Sequence, residues 1–299
     1  MKISNTAPML WFWRSFYQLR YLLPKRRPLF VLNVGAQKSG TSWLRATLKK
    51  QKICNLGLMK EYHIWDQSAP KEMLGTEFNA VTSWIDEAQA SLRERMLQDE
   101  DFYFVYFKNL ISRECRITGD FTPSYSLLPE DELRQLTRKL VAVGFDVVVV
   151  LLLRDPVDRC WSAFRSHYRD LDQALPTDGL VEKFRAFYTS PPAIARTRYD
   201  EIILKLRRLG TSKEIFESKG DVSLVIQGYE QMMRGEVDAI AQALRLEADR
   251  LTNPQVYNAS PSQSLPEREV TACVSFFSQT YAFCGAQYPK ITRYWRNSV

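Results

Sequence analysis

The chain has 299 residues, 45% of them hydrophobic, which is enough for a packed core and argues against a disordered polypeptide. Its charge is uneven: residues 1–60 hold twelve Lys and Arg and no Asp or Glu, so a net charge of +7 overall leaves the remainder acidic. A local basic excess points to an anionic ligand or a membrane surface, and nucleic acid is not expected as a partner because no helix-turn-helix, zinc or RNP pattern is present.

Residues 1–28 read as an aromatic and basic segment ahead of a single domain over 29–299. Arg14 and Arg20 interrupt its apolar residues, so no run reaches the ~18–20 needed to cross a bilayer, and no small-residue cleavage site follows. Two readings stay open: peripheral membrane contact through residues 9–27, or packing of Trp11, Trp13, Phe16 and Tyr17 on the domain. The odd count of five cysteines favours a reducing compartment, hence the cytoplasm, with a Cys273–Cys284 bridge left open. No C-x-x-C pair and only two histidines argue against structural zinc.

"PLFVLNV" predicts a buried strand that ends at Gly35, and "SWLRATLKK" predicts a helix with Thr41 or Ser42 as its N-cap. Between them "GAQKSG" has the glycine spacing of a Walker A loop, but its lysine, Lys38, lies inside the loop. In that position the ammonium would lie over the bond leaving a 5′-phosphate, which suits a short phosphate chain. Further strands are expected in "RITGDFTPSY", "DVVVVLLLRD" and "DVSLVIQGYE", and helices near 130–143, 157–170, 200–210, 229–246 and 266–284. Residues 61–115 and 171–197 read as loop insertions around the ligand. The alternation implies a parallel α/β sheet flanked by helices in three layers.

The strand through Val147–Leu153 ends in Arg154, where a P-loop kinase needs an aspartate for Mg²⁺. With Ser162 two turns into the next helix, Arg154 makes a second phosphate site, so the ligand has two separated anionic ends and no obligatory metal. "GAQKSGTSWL" resembles the 5′-phosphosulfate loop, and "LLLRDPVDRCWSAF" the 3′-phosphate motif, of the sulfotransferases that use 3′-phosphoadenosine 5′-phosphosulfate (PAPS). The resemblance implies a P-loop-like fold, PAPS as donor, adenosine 3′,5′-bisphosphate as product and no metal. It implies donor binding by Gln37, Lys38, Ser39, Gly40, Thr41, Ser42, Arg154 and Ser162. Tyr199 with "VSLVIQGYEQM" extends the likeness at falling specificity.

"LMKEYHIWD" resembles the Lys-Glu-x-His segment of the bacterial and heparan-type carbohydrate sulfotransferases, in which the glutamate is the general base. That implies Glu61 and Lys38 as catalytic, with Lys60 at the acceptor; His63 is a rival base or a neighbour that orients the acceptor. "GDFTPSY" resembles the family's acceptor segment, placing Asp120, Thr122 and Tyr125 at the substrate, although Phe121 stands where the family has lysine. The C-terminal Gly-rich loop of the small-molecule branch is absent; "YNASPSQSLPER" stands there, with Arg268 as its one cation. The expected activity is sulfuryl transfer to a hydroxyl, which the resemblance implies is carried by a glycan; the alternatives are a small-molecule or lipid alcohol with a His base, a P-loop kinase, or a non-catalytic nucleotide-binding scaffold.

Overall fold

The computed structural model describes residues 26–74, 85–171, 173–176, 178–209, 221–251 and 264–297. Four strands, β1 (Leu29–Gly35), β2 (Ile117–Asp120), β3 (Asp146–Leu153) and β4 (Val222–Gly228), form one sheet in the order β2-β1-β3-β4, with every pairing parallel. Alternate residues of the two central strands go to opposite faces, as the twofold pleat requires. Phe30, Leu32, Val147, Val149 and Leu151 enter one core, while Leu29, Val31, Val148, Val150 and Leu152 enter the other. Both faces are therefore dry, which is why β3 is an unbroken apolar run.

Among the described residues the α-helices of five or more residues are α1 (Thr41–Lys49), α2 (Glu87–Gln98), α3 (Glu100–Asn109), α4 (Glu130–Ala142), α5 (Pro156–Asp170), α6 (Leu180–Tyr188), α7 (Pro191–Thr197), α8 (Tyr199–Leu209), α9 (Tyr229–Met233), α10 (Asp238–Leu244), α11 (Glu267–Phe276) and α12 (Ser278–Gln287). Trp43, Leu44 and Leu48 of α1 and Ile240, Ala241 and Leu244 of α10 cover one face of the sheet. The other face carries α3, α4, α5 and α8 through Phe107, Leu136, Cys160 and Ile203 among others. The three-layer α/β architecture expected from the alternation is the one observed.

Two expectations need correction. The stretches 61–115 and 171–197 are not plain loops: α2 and α3 lie in the first and α6 and α7 in the second. Asp86 caps α2 in a reciprocal capping box with Gln89, and Asp99 caps α3, so local signals were present that the dense aromatics of residues 102–107 obscured. The single helix expected over 229–246 is split into α9 and α10 at Gly235, whose φ of 80° ends a helix, and that over 266–284 is split at Phe277. All five cysteines are free thiols, including Cys273 and Cys284. Among the described residues no helix is long and apolar enough to cross a membrane. Most of residues 9–27 and of the Tyr257–Arg268 stretch lie outside the described residues.

Candidate active site

In the order β2-β1-β3-β4 the chain leaves β1 toward one side and β3 toward the other, so a crevice opens at their carboxyl ends. Both phosphate motifs lie there. After β1 the chain turns through Lys38 and Gly40, whose φ values of 66° and 94° are left-handed and curl neighbouring N–H groups into a concavity. Gly40 admits no side chain: a Cβ would meet Tyr229 Cδ2 at 2.9 Å and Met232 Cε at 3.0 Å. Gly40 is also the N-cap of α1, and no side chain caps that helix. Thr41 and Ser42, expected as caps, lie in the first turn instead, where their N–H groups belong to the unpaired set that favours an anion.

Lys38 rests its ammonium on the Ser166 hydroxyl of α5 at 2.5 Å. Gln37 and Ser42 are half-buried at the cradle, and the Ser39 side chain is buried beside Tyr199. The Tyr199 phenol in turn donates to the Arg154 carbonyl at 3.0 Å. Arg154 donates to the Lys38 carbonyl at 3.1 Å and lies 4.6 Å from the Tyr229 ring centre, with its buried Nε lacking a hydrogen-bond partner. Ser162 is half-buried on α5, and Arg165, one turn on, presents to the same region. Burial, and then the Arg154 charge, lower the Arg165 guanidinium from its ordinary value. The sequence pattern missed Arg165, although its i+3 spacing from Ser162 was readable.

Asp155 is committed elsewhere. Its carboxylate caps α5 at the Val157 N–H (2.9 Å), and accepts from the Tyr281 hydroxyl (2.8 Å) and the Asn297 N–H (2.9 Å). From the C-terminal region it is Arg296 that reaches α5, at Asp158 (2.6 Å), while Arg268 is exposed on α11.

The second cluster begins at β2. Asp120 is fully buried and accepts from Thr122 (2.6 Å), Tyr103 (3.0 Å) and Tyr125 (3.0 Å). Burial raises its carboxyl to about 6, with the three hydroxyls pulling the other way. With their O–H groups directed at Asp120, two of those hydroxyls accept backbone N–H groups: Thr122 from Tyr62 (2.9 Å) and Tyr125 from Ile64 (3.2 Å). Asp120, Thr122 and Tyr125, expected at the substrate, are thus buried beneath the Glu61 segment and hold it up.

On that support, His63 donates to Asp66 through Nδ1 (2.6 Å) and to Glu61 through Nε2 (3.2 Å). Asp66 is fully buried and also accepts from Ser124 at 2.5 Å. Burial alone would lower His63, but its bonds to Asp66 and Glu61 outweigh that and raise it to about 9. Glu61 is opposite: burial pushes its carboxyl up, while His63 and the Lys60 ammonium, 3.1 Å away, bring it down to about 2. At neutral pH the pair is an imidazolium and a carboxylate, and only the latter can accept a proton. Asp66 escaped the sequence reading; its signal was the i+3 spacing from His63.

The two clusters meet through β1. A Cβ on Gly35 would lie 3.1 Å from the Pro123 carbonyl, and Pro123 precedes the Ser124 that binds Asp66. Among the described non-glycine residues, Lys38, His63 and Arg245 have positive φ, and the first two belong to this site. Such conformations persist where surrounding contacts impose them. Beside Gln37 a cavity of about 210 Å³ is lined by Leu74, Arg159, Ala163, His167, Phe187 and Arg196.

No family model and no curated protein sequence matches the chain. Among solved structures it is similar to a sulfotransferase from Alicyclobacillus acidocaldarius, at 19% identity and a TM-score of 0.56 over 87% of this chain and 95% of that one: the chain has that sulfotransferase's fold.

Proposed function

We propose that the chain is a PAPS-dependent sulfotransferase acting on a hydroxyl, with a carbohydrate as the acceptor. The observation that supports this most is the meeting, at one edge of the sheet, of an uncapped helix N-terminus, two cationic subsites and a carboxylate braced by an imidazolium. The donor fits the residues present: Gly40 leaves room where a side chain would fill the cradle, and Arg154 offers a buried Nε that has no protein partner. The 5′ end belongs to the loop from Gln37 to Ser42, and the 3′-phosphate to Arg154, Ser162 and Arg165.

Bound there, PAPS supplies the sulfuryl group. In an in-line transfer from it to the acceptor oxygen, Glu61 would take the acceptor proton, and Lys38 with the α1 N–H groups would stabilise the charge left on the 5′-phosphate leaving group. A carboxylate held at about 2 is a weak base, yet it suffices because the proton becomes strongly acidic once its oxygen bonds to sulfur. His63 keeps the carboxylate aimed, and Asp66 and Ser124 keep His63 aimed. Lys60, half-exposed beside Glu61, is placed to meet an acceptor group. The kinase reading loses support because Asp120 already receives three hydroxyl groups. Five free thiols suit a reducing cytoplasm.

The test is transfer of labelled sulfate from PAPS to a panel of glycans, phenols and lipid alcohols. Transfer to a glycan supports the whole reading, transfer to a phenol or lipid alone removes its carbohydrate part, and loss of all activity on chelation restores the kinase.

A further inference from the structure

The site uses only some of the cations of residues 1–60. Lys38, Arg45 and Lys60 lie in the loop or against the Glu61 segment. Others are carried to the opposite edge of the sheet. α1 starts at the carboxyl ends of the strands and runs back, so Lys49 ends near their amino ends, and Lys52 follows in the turn. The neighbouring Ile53 carbonyl accepts from the Arg116 N–H at 2.8 Å, just before β2. The chain entering β1 brings Arg26 and Arg27 to the same edge: Arg116 donates to the Arg26 carbonyl (2.7 Å), and Arg245, after α10, donates to that of Arg27 (2.9 Å).

Asp146 pairs with Arg245 at 2.5 Å, and Glu114, Asp221, Glu247 and Asp249 share this edge; against these five acids stand Arg26, Arg27, Lys49, Lys50, Lys52, Arg116, Arg245 and Arg250, so cations remain in excess. Lys49, Lys52, Arg26 and Arg245 are exposed. Burial, and then the charge of Arg245, lower the Arg116 guanidinium, a sign that like charges are held close. That arrangement costs free energy in the isolated protein, and an anionic surface offsets the cost.

The remaining chain joins the domain at this edge. Residues 1–25 add Lys2, Arg14, Arg20 and Lys25 without an acid, and Met9 to Trp13 is an uninterrupted apolar run with three aromatic residues. Cations for a headgroup layer next to aromatic and aliphatic side chains for its acyl boundary are the composition of an interfacial anchor. A nucleic acid would be served by the cations but would leave that apolar run without a role.

We propose that the amino-terminal edge of the sheet, together with residues 9–27, docks on an anionic phospholipid surface. The eight residues of β3 separate this edge from the Glu61 and Lys38 site by about 25 Å, at about 3.3 Å per residue. Docking therefore turns the site away from the bilayer, and the acceptor arrives from the aqueous side.

The experiment is co-sedimentation of the full chain with vesicles of phosphatidylcholine alone and with about a third phosphatidylglycerol. Binding is expected to be at least tenfold tighter on the anionic vesicles and to weaken as salt is raised. Lys49→Glu with Lys52→Glu should remove at least tenfold of that preference while the melting temperature stays that of the parent chain. Trp11→Ser with Trp13→Ser, also in the full chain, should remove the part of the binding that survives high salt. Equal binding to both vesicles, or no effect of either double variant, would overturn the proposal; binding to duplex DNA in preference to vesicles would assign the edge to nucleic acid instead.

Discussion

The proposed donor pocket and the Glu61 shelf lie side by side but are built differently. The pocket comes from two short contiguous stretches, each placed by the strand before it and the helix after it: β1 and α1 hold residues 35–42, and β3 and α5 hold Arg154 to Ser162. The shelf has no regular structure of its own at Glu61. It is fixed by hydroxyls of Thr122, Ser124 and Tyr125, some sixty residues away in the chain, the first and last of them held in turn by the buried Asp120 carboxylate. A pocket of the first kind tolerates change outside its motif, whereas a shelf of the second kind fails when any relay in the network is broken. Substitutions that separate donor binding from turnover test this difference.

The largest effect is expected at Glu61. Glu61→Gln keeps size and most hydrogen bonding but cannot accept a proton, so turnover should fall by roughly 10²–10⁴ with bisphosphate affinity nearly unchanged. His63→Ala should cost less in turnover and act mainly on the acceptor's Michaelis constant. If steady-state kinetics rank them the other way, the base is His63 and the carbohydrate reading weakens with it.

Asp120→Asn comes next. It replaces an acceptor of three hydroxyl bonds by a group that is half donor, and should cost about 2–4 kcal/mol in denaturant unfolding. At a temperature where the variant is folded, adenosine 3′,5′-bisphosphate should still bind while turnover is lost. Parallel loss of both would mean that shelf and pocket are one cooperative unit.

Arg154→Ala should weaken the bisphosphate by about 1.5–3 kcal/mol, read by calorimetry, and adenosine 5′-phosphate far less. Equal weakening of both ligands would remove the 3′ subsite.

The smallest effect concerns pH. The folded value of His63, about 9 against an ordinary 6.5, means the native state binds its proton more tightly than the unfolded chain. The stability from this residue is thus fully present below 6.5 and lost as pH rises through about 9. The melting temperature of the parent chain should approach that of His63→Gln over that range, and a gap independent of pH would sink the imidazolium assignment.

Legibility in the sequence follows the same division. The strands were readable because both faces of a parallel sheet are buried, which writes Leu29–Leu32 and Val147–Leu153 as apolar runs. The loop after β1 was readable because backbone geometry demands glycine at residue 40 and a fixed spacing to the helix, both local requirements. Glu61 and His63 were visible as residue types at a spacing, without their protonation states. Tertiary structure alone decided that Asp120, Thr122 and Tyr125 support rather than line the site, that Asp66 makes His63 a cation, and that Arg165 joins Arg154. It also decided that cations scattered over residues 26–52 and at 116 and 245 share one edge. Each of these depends on a hydrogen bond or charge pair between residues distant in the chain, or on burial that only packing creates. A linear pattern records which groups are available, and the fold determines which of them meet.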